Sequence, residues 1–322
     1  MTKKINVAIN GFGRIGRAFY KAVQNMPEIE VVAVNDLGDK ENLEYLLQYD
    51  SVYGKFGGDL HNIEFLQEKD PSALPWGELS IDVVVECTGI FTTIEKAQGH
   101  IDAGAKRVVI SAPSADATTV LTGVNEGDLK TCSISSNASC TTNATSPLIG
   151  ILDEAIGIEK AILNTVHGYT ATQSTVDSPS KKDFRRGRAA AINIIPTSTG
   201  AAKATTKVHM QLQDKFDGVA MRVPVPAGSI VDVTFIAKRD TTVEEINNAL
   251  EGAAGSQRWG KVFAVTHEPL VSTDILGRTE ASIADLSMTR VVDKTLVKVL
   301  AWYDNETGYV NSLVQHVLST QK

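Results

Sequence analysis

The chain predicts an α/β fold of two parts: a Rossmann-type dinucleotide-binding domain and a second α+β catalytic domain built on a mixed/antiparallel sheet. Three observations carry this. A GxGxxG turn directly follows an apolar run near the start; strand-like and helix-like runs alternate through the first third; longer strand candidates take over from about residue 161. At 322 residues the chain is long enough for two cores.

In the first third, Ile5 to Ile9, Val31 to Val34, Val83 to Val85 and Val108 to Ile110 read as buried strands, with helical patterns at Arg14 to Asn25 and Glu41 to Tyr49. This alternation argues for parallel strands joined by crossover helices. In the second half, strands are expected at Ala161 to Val166, Val219 to Val225, Ile230 to Ala237 and Leu296 to Trp302, and helices at Gly200 to Gln211 and Val243 to Ala253. The final stretch, Gly308 to Ser319, spaces Val310, Leu313, Val314 and Val317 along one helical face.

Hydrophobic residues make up 43% and charged residues 21%, outside the range of disordered chains. The net charge of −7 argues against a nucleic-acid or anionic-lipid partner and leaves small molecules as the expected ligands. Three cysteines with no CxxC spacing and no histidine cluster predict neither disulfides nor a metal site, and a reducing compartment. The N-terminal stretch has no small-residue cleavage site and no segment nears the length of a membrane helix, so a cytoplasmic protein with no membrane partner is expected.

Gly11, Gly13 and Gly16 form the GxGxxG. The first allows a tight turn, the second lets backbone approach a pyrophosphate, and the third lets helix pack close on strand, while the helix N-terminus offers free N–H groups. Asp36 follows the second strand, at the spacing from which a carboxylate bonds a ribose hydroxyl and repels a 2′-phosphate, which favours NAD over NADP. Arg14 on the first turn has an alternative reading as an exposed side chain.

Cys140 sits in the loop Ser136-Asn-Ala-Ser-Cys-Thr-Thr-Asn143, at the start of a helical pattern, where the helix dipole is expected to lower the thiol pKa. Cys87, in an apolar strand, and Cys132 read as inert. His167 ends an apolar strand and is the candidate base, a reading that gains from pairing with Cys140. Thr199-Gly200 precedes an Ala-rich helix, an anion site by position, and Arg222 interrupts an apolar strand, which calls for an anionic partner unless the strand is an edge. Arg186 lies in an arginine-rich loop that spacing alone reads as solvated.

The octapeptide around Cys140, with Asn10 to Gly16, Thr165 to His167, Thr197 to Lys203, Met221 to Pro224 and Trp302 to Glu306, closely resembles phosphorylating glyceraldehyde-3-phosphate dehydrogenase, nearly end to end. The resemblance implies that Cys140 attacks the aldehyde of D-glyceraldehyde 3-phosphate, that the hemithioacetal is oxidised by NAD to a thioester with His167 as base and imidazolium partner, and that inorganic phosphate releases 1,3-bisphosphoglycerate. It implies substrate and phosphate contacts at Ser139, Thr141, Thr170, Arg186, Thr199, Gly200 and Arg222, and cofactor contacts at Gly11, Gly13, Arg14, Ile15, Gly16, Asp36, Lys69, Ser111 and Asn305. It also implies a homotetramer and a discontinuous first domain: 1–140 plus 303–322 for NAD binding, 141–302 for catalysis. The chain departs from the family in a short Gly57 to Ile63 region, in Ala144 where many members carry a second, non-catalytic cysteine, and in Thr307 where an aromatic residue is usual. Erythrose-4-phosphate dehydrogenase, with the same fold, cysteine and base, is one rival; a non-catalytic NAD-binding scaffold is another, disfavoured because such a protein needs neither Cys140 nor His167.

Overall fold

A computed structural model describes residues 4–180 and 183–321. By contacts the chain divides into two compact units, Met1–Ser139 with Val310–Lys322, and Cys140–Tyr309. The seam thus falls before Cys140 and before Val310, rather than after 140 and before 303. The tail to Tyr309 stays with the second unit because Tyr303 ends a strand of its sheet, Asp304 Oδ2 accepts from Gly277 N and Asn305 Oδ1 accepts from Gly228 N.

The first unit holds β1 (Ile5–Asn10), β2 (Ile29–Asn35), a small hairpin of β3 (Tyr49–Asp50) and β4 (Gly54–Lys55), then β5 (Glu64–Leu66), β6 (Val83–Glu86), β7 (Arg107–Ile110), β8 (Thr118–Thr119) and β9 (Ile134–Ser136). All but the hairpin form one parallel sheet of order β5-β2-β1-β6-β7-β9-β8. The middles of its central strands are apolar, as a sheet covered on both faces requires, and Ala8, Ala33, Trp76, Ile81, Val84, Val108 and Ile134 share one buried cluster. The strand order reverses direction at β1, so the crevice beyond the carboxyl ends of β1 and β6 is where such folds bind ligands. Helices α1 (Arg14–Val23), α2 (Lys40–Gln48) and α3 (Ile94–Asp102) are the crossovers; Asp39 and Thr93 cap the last two through their side chains.

The second unit opens with α4 (Cys140–Ala155) and adds β10 (Ile158–Gly168), β11 (Ile195–Ser198), β12 (Phe216–Val223), β13 (Ser229–Ala237), β14 (Phe263–Thr266), β15 (Ser282–Asp285), β16 (Arg290–Val292) and β17 (Leu296–Tyr303). These form a mixed sheet of order β11-β12-β10-β13-β17-β15-β14, with β16 paired to β17. The expected helix Gly200 to Gln211 is shorter, α5 (Ala201–Thr206), followed by a turn and a single 3-10 turn at Met210–Leu212. The Thr205-Thr206 pair is the physical reason: β-branched residues form helix poorly, and Thr206 Oγ1 donates back to Lys203 O. α6 (Val243–Ala254) is capped by Thr242.

The last helix, α7 (Thr307–Ser319), buries Val310, Leu313, Val314 and Val317, each stabilised by about 1.5–3 kcal/mol relative to exposure. His316 lies on the same helix, with Nε2 2.9 Å from Ser135 Oγ and Nδ1 3.2 Å from Asn137 Oδ1, which ties the C-terminal helix to the end of β9. Among the described residues no helix is long and apolar enough to cross a membrane, and no group of three metal-ligating side chains gathers.

Burial pushes the His316 pKa down to about 3. Because the folded value lies below the ordinary one of about 6.5, acidification protonates the unfolded chain first, and stability falls as pH drops from about 6.5 towards 3. His316→Gln keeps a donor and an acceptor but cannot titrate. Urea midpoints measured between pH 7 and about 4 are therefore expected to fall less steeply for His316→Gln than for the wild-type protein; parallel slopes would assign the acid sensitivity elsewhere.

Candidate active site and dinucleotide pocket

The first unit carries a pocket of about 490 Å³ beyond the carboxyl ends of β1, β2 and β6, lined among others by Asn10, Gly11, Gly13, Asp36, Lys69 and Thr88. Gly11 has φ +93°, and a Cβ there would lie 2.7 Å from Thr88 N, so only glycine fits the turn. A Cβ at Gly16 would lie 2.2 Å from Gly11 O, which forces the close helix–strand packing. Gly13 has open space beyond it and no side chain caps α1 there, leaving first-turn N–H groups for an anion. Asp36 Oδ2 accepts from Phe12 N at 2.6 Å and Oδ1 from Gly38 N at 2.8 Å, so the carboxylate is fixed at the pocket edge. These residues fit a dinucleotide, with the pyrophosphate at the helix start and an acid for the ribose.

Other expected cofactor residues are distributed differently. Lys69 is exposed and lines the pocket, and Ile15 is half-buried on α1. The Arg14 guanidinium pairs with Asp50 at 3.3 Å and does not line the pocket, which leaves only its backbone for a phosphate. Ser111 follows β7, outside the pocket lining, with its hydroxyl on the Cys87 thiol. Burial pushes that thiol up to about 12, in keeping with an inert cysteine. Asn305 belongs to the second unit, where Oδ1 accepts from Gly228 N and Ser229 Oγ, orienting its amide.

In the second unit Cys140 is the first residue of α4, reached through Ala138 at φ +55°, an uncommon left-handed turn for a residue with a side chain. Its Sγ lies 3.4 Å from His167 Nε2. His167 stands one residue before the end of β10, and the parallel register of β10 with β12 sets it directly opposite Arg222. β12 is flanked by β10 and β11, so Arg222 is not an edge residue. Its Nη1 donates to Gly168 O at 2.9 Å and faces His167 Nδ1 at 2.7 Å. His167 Nδ1 is also 2.6 Å from Gly168 O. Nδ1 thus stands between an acceptor, Gly168 O, and a donor, Arg222 Nη1: a bond to the carbonyl puts the imidazole proton on Nδ1, and a bond from the guanidinium puts it on Nε2, towards the sulfur.

The electrostatics correct two expectations. Burial, and then the Arg222 charge, push the His167 pKa down to about 3, so the ring is neutral rather than a standing imidazolium. Burial also raises the Cys140 thiol, and Arg222, Thr141 and the helix-start amides only partly offset it. The cation whose charge favours the thiolate is Arg222, across the ring from the sulfur; the helix tip alone does not outweigh desolvation.

Tyr303 was not singled out from the sequence. It is buried, its hydroxyl meets Thr141 Oγ1 at 3.0 Å and Thr165 Oγ1 at 2.8 Å, and its ring stands edge-on to His167 at 5.8 Å. It ties the start of α4 to β10, and its position in the Trp302 to Glu306 block was the available signal. The Thr141 hydroxyl is consequently engaged inside rather than free for phosphate. Ser139 is half-buried beside Cys140 in sequence, and Ala144 is fully buried on α4.

The remaining anion candidates lie on neighbouring loops. Arg186 Nε donates to Thr197 Oγ1 at 2.9 Å, which anchors a loop arginine that spacing had read as solvated. It is near enough to Arg222 to lower that guanidinium's pKa, after burial, the largest cause. Both guanidinium groups are half-buried, and Arg186 Nε also stands 3.8 Å from Asp183 Oδ2. Thr199 Oγ1 accepts from Ala201 N, Gly200 is exposed before α5, and Thr170 Oγ1 pairs with Thr172 Oγ1.

Because Arg222 favours the thiolate of Cys140, Arg222→Met is expected to raise the pH midpoint of Cys140 alkylation by iodoacetamide. Peptide mapping across pH 6 to 10 checks this, and an unmoved midpoint would remove Arg222 as the activating charge.

Two family models match the chain: glyceraldehyde 3-phosphate dehydrogenase, NAD binding domain, over residues 5–94, and glyceraldehyde 3-phosphate dehydrogenase, C-terminal domain, over residues 139–305. Among similar curated proteins, the glyceraldehyde-3-phosphate dehydrogenase of Clostridium pasteurianum is 47% identical over 98% of this chain and 97% of its own. Glyceraldehyde-3-phosphate dehydrogenase 1 of Streptomyces avermitilis is 47% identical over 98% of both chains. That of Eremothecium gossypii is 46% identical over 97% of this chain and 99% of its own. With the glycine turn, the acid after β2 and the cysteine–histidine pair in the units those models match, the chain belongs to the glyceraldehyde-3-phosphate dehydrogenase family.

Proposed function

We propose that the protein oxidises and phosphorylates D-glyceraldehyde 3-phosphate to 1,3-bisphosphoglycerate, with Cys140 as nucleophile and His167 as base. The observation that carries this is the sulfur 3.4 Å from His167 Nε2 with an arginine on the far side of the ring. Bound NAD supplies the oxidant, held by the glycine turn and Asp36. Cys140 Sγ forms a bond to the aldehyde carbon, and the carbonyl oxygen becomes the hydroxyl of a hemithioacetal. During oxidation His167 Nε2 would take the hydroxyl proton while the C–H bond gives up its hydrogen with both electrons to the oxidant, leaving a thioester on the sulfur. An inorganic phosphate oxygen then bonds to that carbon, the C–S bond breaks, and Cys140 departs as thiolate.

For Nε2 to accept a proton, the ring's own proton must be on Nδ1, where Gly168 O is in reach to accept its hydrogen bond. Arg222 opposes that tautomer while it faces Nδ1. A phosphate drawn to Arg222 and Arg186 relieves the opposition, so anion binding readies the base. Arg186, Thr199, Gly200 and Arg222 hold phosphate groups in this reading, with Thr170 and Ser139 at the rim and Thr141 contributing its backbone.

The protein works as a cytoplasmic homotetramer in the same reading. Three free cysteines suit a reducing compartment, and exposed Ile162 and Val219 on adjacent strands, with exposed Phe184, Ile192 and Ile194, suit subunit contact.

Absorbance of reduced cofactor, followed with NAD, glyceraldehyde 3-phosphate and phosphate, tests the activity. A phosphate-dependent signal is expected in the wild-type protein and none in Cys140→Ser, whose NAD affinity should stay near wild type. A signal only with erythrose 4-phosphate would promote the sister enzyme, and none at all would favour a scaffold. Asp36→Ala is expected to narrow the preference for NAD over NADP in the same assay, whereas an unchanged ratio would assign that preference to another residue.

A further inference from the structure

The proposed mechanism leaves unused a buried acidic side chain beside the dinucleotide pocket. Glu86 ends β6 with its side chain fully inside the first unit. Its Oε2 accepts from Asn10 Nδ2 at 2.6 Å and lies 3.2 Å from His100 Nε2. Its Oε1 accepts from Thr88 N at 2.8 Å and from the Thr88 hydroxyl. The donor roles are forced. Trp76 Nε1, which can only donate, is 3.0 Å from His100 Nδ1, so Nδ1 accepts and the His100 proton is on Nε2, towards Glu86. Asn10 Oδ1 accepts from Asn35 Nδ2 at 2.7 Å, which turns the Asn10 amide nitrogen towards Glu86. Asn35 in turn clamps residue 68, accepting from Glu68 N and donating to Glu68 O.

Four donors converge on one carboxylate, and through them it reaches every segment around the dinucleotide pocket: the end of β1, the end of β2, the loop at Glu68 and Lys69, and the loop from Thr88 to Phe91. Thr88 matters most, because its backbone packs against Gly11 and its hydroxyl accepts from Ile90 N at 3.1 Å. We propose that Glu86 is the positioning residue of this pocket: its carboxylate, acting through Asn10, His100 and Thr88, holds the loops in the arrangement that binds the dinucleotide. The inference rests on the pocket being the NAD site.

Glutamine is the discriminating substitution. It has nearly the same shape, yet its NH₂ must face either Thr88 N–H or the Asn10 and His100 donors, and no orientation avoids a donor against a donor. Affinity for NAD is measured by calorimetry, and kcat and KM by the phosphate-dependent assay. Glu86→Gln is expected to raise both Kd and KM for NAD about tenfold or more, with kcat at saturating NAD within about threefold of wild type. Thr88→Val, which removes one hydroxyl donor, is the variant that should fold in any case, and a rise of about threefold in Kd is expected. His100→Gln retains an acceptor for Trp76 and a donor for Glu86 and should bind NAD like wild type, whereas His100→Leu should not. Val317→Ala, a buried truncation on α7, serves as the control for lost stability alone.

Wild-type Kd in Glu86→Gln and Thr88→Val would overturn the inference. So would a Kd shift no larger than that of Val317→Ala at equal loss of Tm. If the wild-type protein itself bound no NAD, the reading of the pocket would fall, and the inference with it.

Discussion

The chemistry of the second unit depends on one register. Because β10 and β12 run parallel with His167 opposite Arg222, a ring and a guanidinium on neighbouring strands are held side by side at one sheet end. α4 starts where its first residue brings a sulfur to the other side of the ring. A slip of one residue in β12 would turn Arg222 to the opposite face and leave the imidazole without its charged neighbour. Tyr303 guards this arrangement from below, since its hydroxyl links helix and strand through Thr141 and Thr165.

Burial and charge then act on the two reactive groups in different senses. Desolvation disfavours the charged form of both, raising the thiol and lowering the imidazole. Arg222 favours the thiolate and disfavours the imidazolium. The ligand-free site therefore keeps the imidazole neutral and leaves the thiolate dependent on Arg222 for a favourable charge. That division of roles differs from a thiolate–imidazolium pair, in which the histidine itself supplies the charge.

Local features of the sequence made much of this legible. The glycine turn could be read because each glycine answers a specific steric demand, and Asp36 because a fixed crossover length separates it from that turn. Cys140 was legible as a helix-start residue, and Arg222 as a charge inside an apolar strand. What stayed hidden is long-range. The depression of the His167 pKa comes first from burial and then from Arg222, 55 positions away, and the fixing of Arg186 needs Thr197 on β11. Even α5 stopped early, because two β-branched residues in succession form helix poorly and the second bonds its hydroxyl back to Lys203 O. Tyr303 carried no local anomaly, since an aromatic residue ending an apolar strand reads as core until its hydroxyl is seen to join two threonines. Glu86 is similar: a single acid after three valines reads as a strand end until four donors are found around it.

The two units thereby solve one problem in two ways. In each, a buried histidine has at Nδ1 a neighbour that can only donate, His100 on α3 and His167 near the end of β10. For His100 the donor is the neutral indole of Trp76, itself buried, with nothing to draw it away, and the proton stays on the nitrogen that faces Glu86. For His167 the donor is a cation, and a cation can be claimed by an anion. A neutral donor makes a fixed scaffold; a charged one makes a choice of tautomer that responds to ligand. Replacing Arg222 by a neutral donor would keep the resting geometry and lose that response, which is why a guanidinium, and not merely a hydrogen-bond donor, suits a site whose substrates are phosphates.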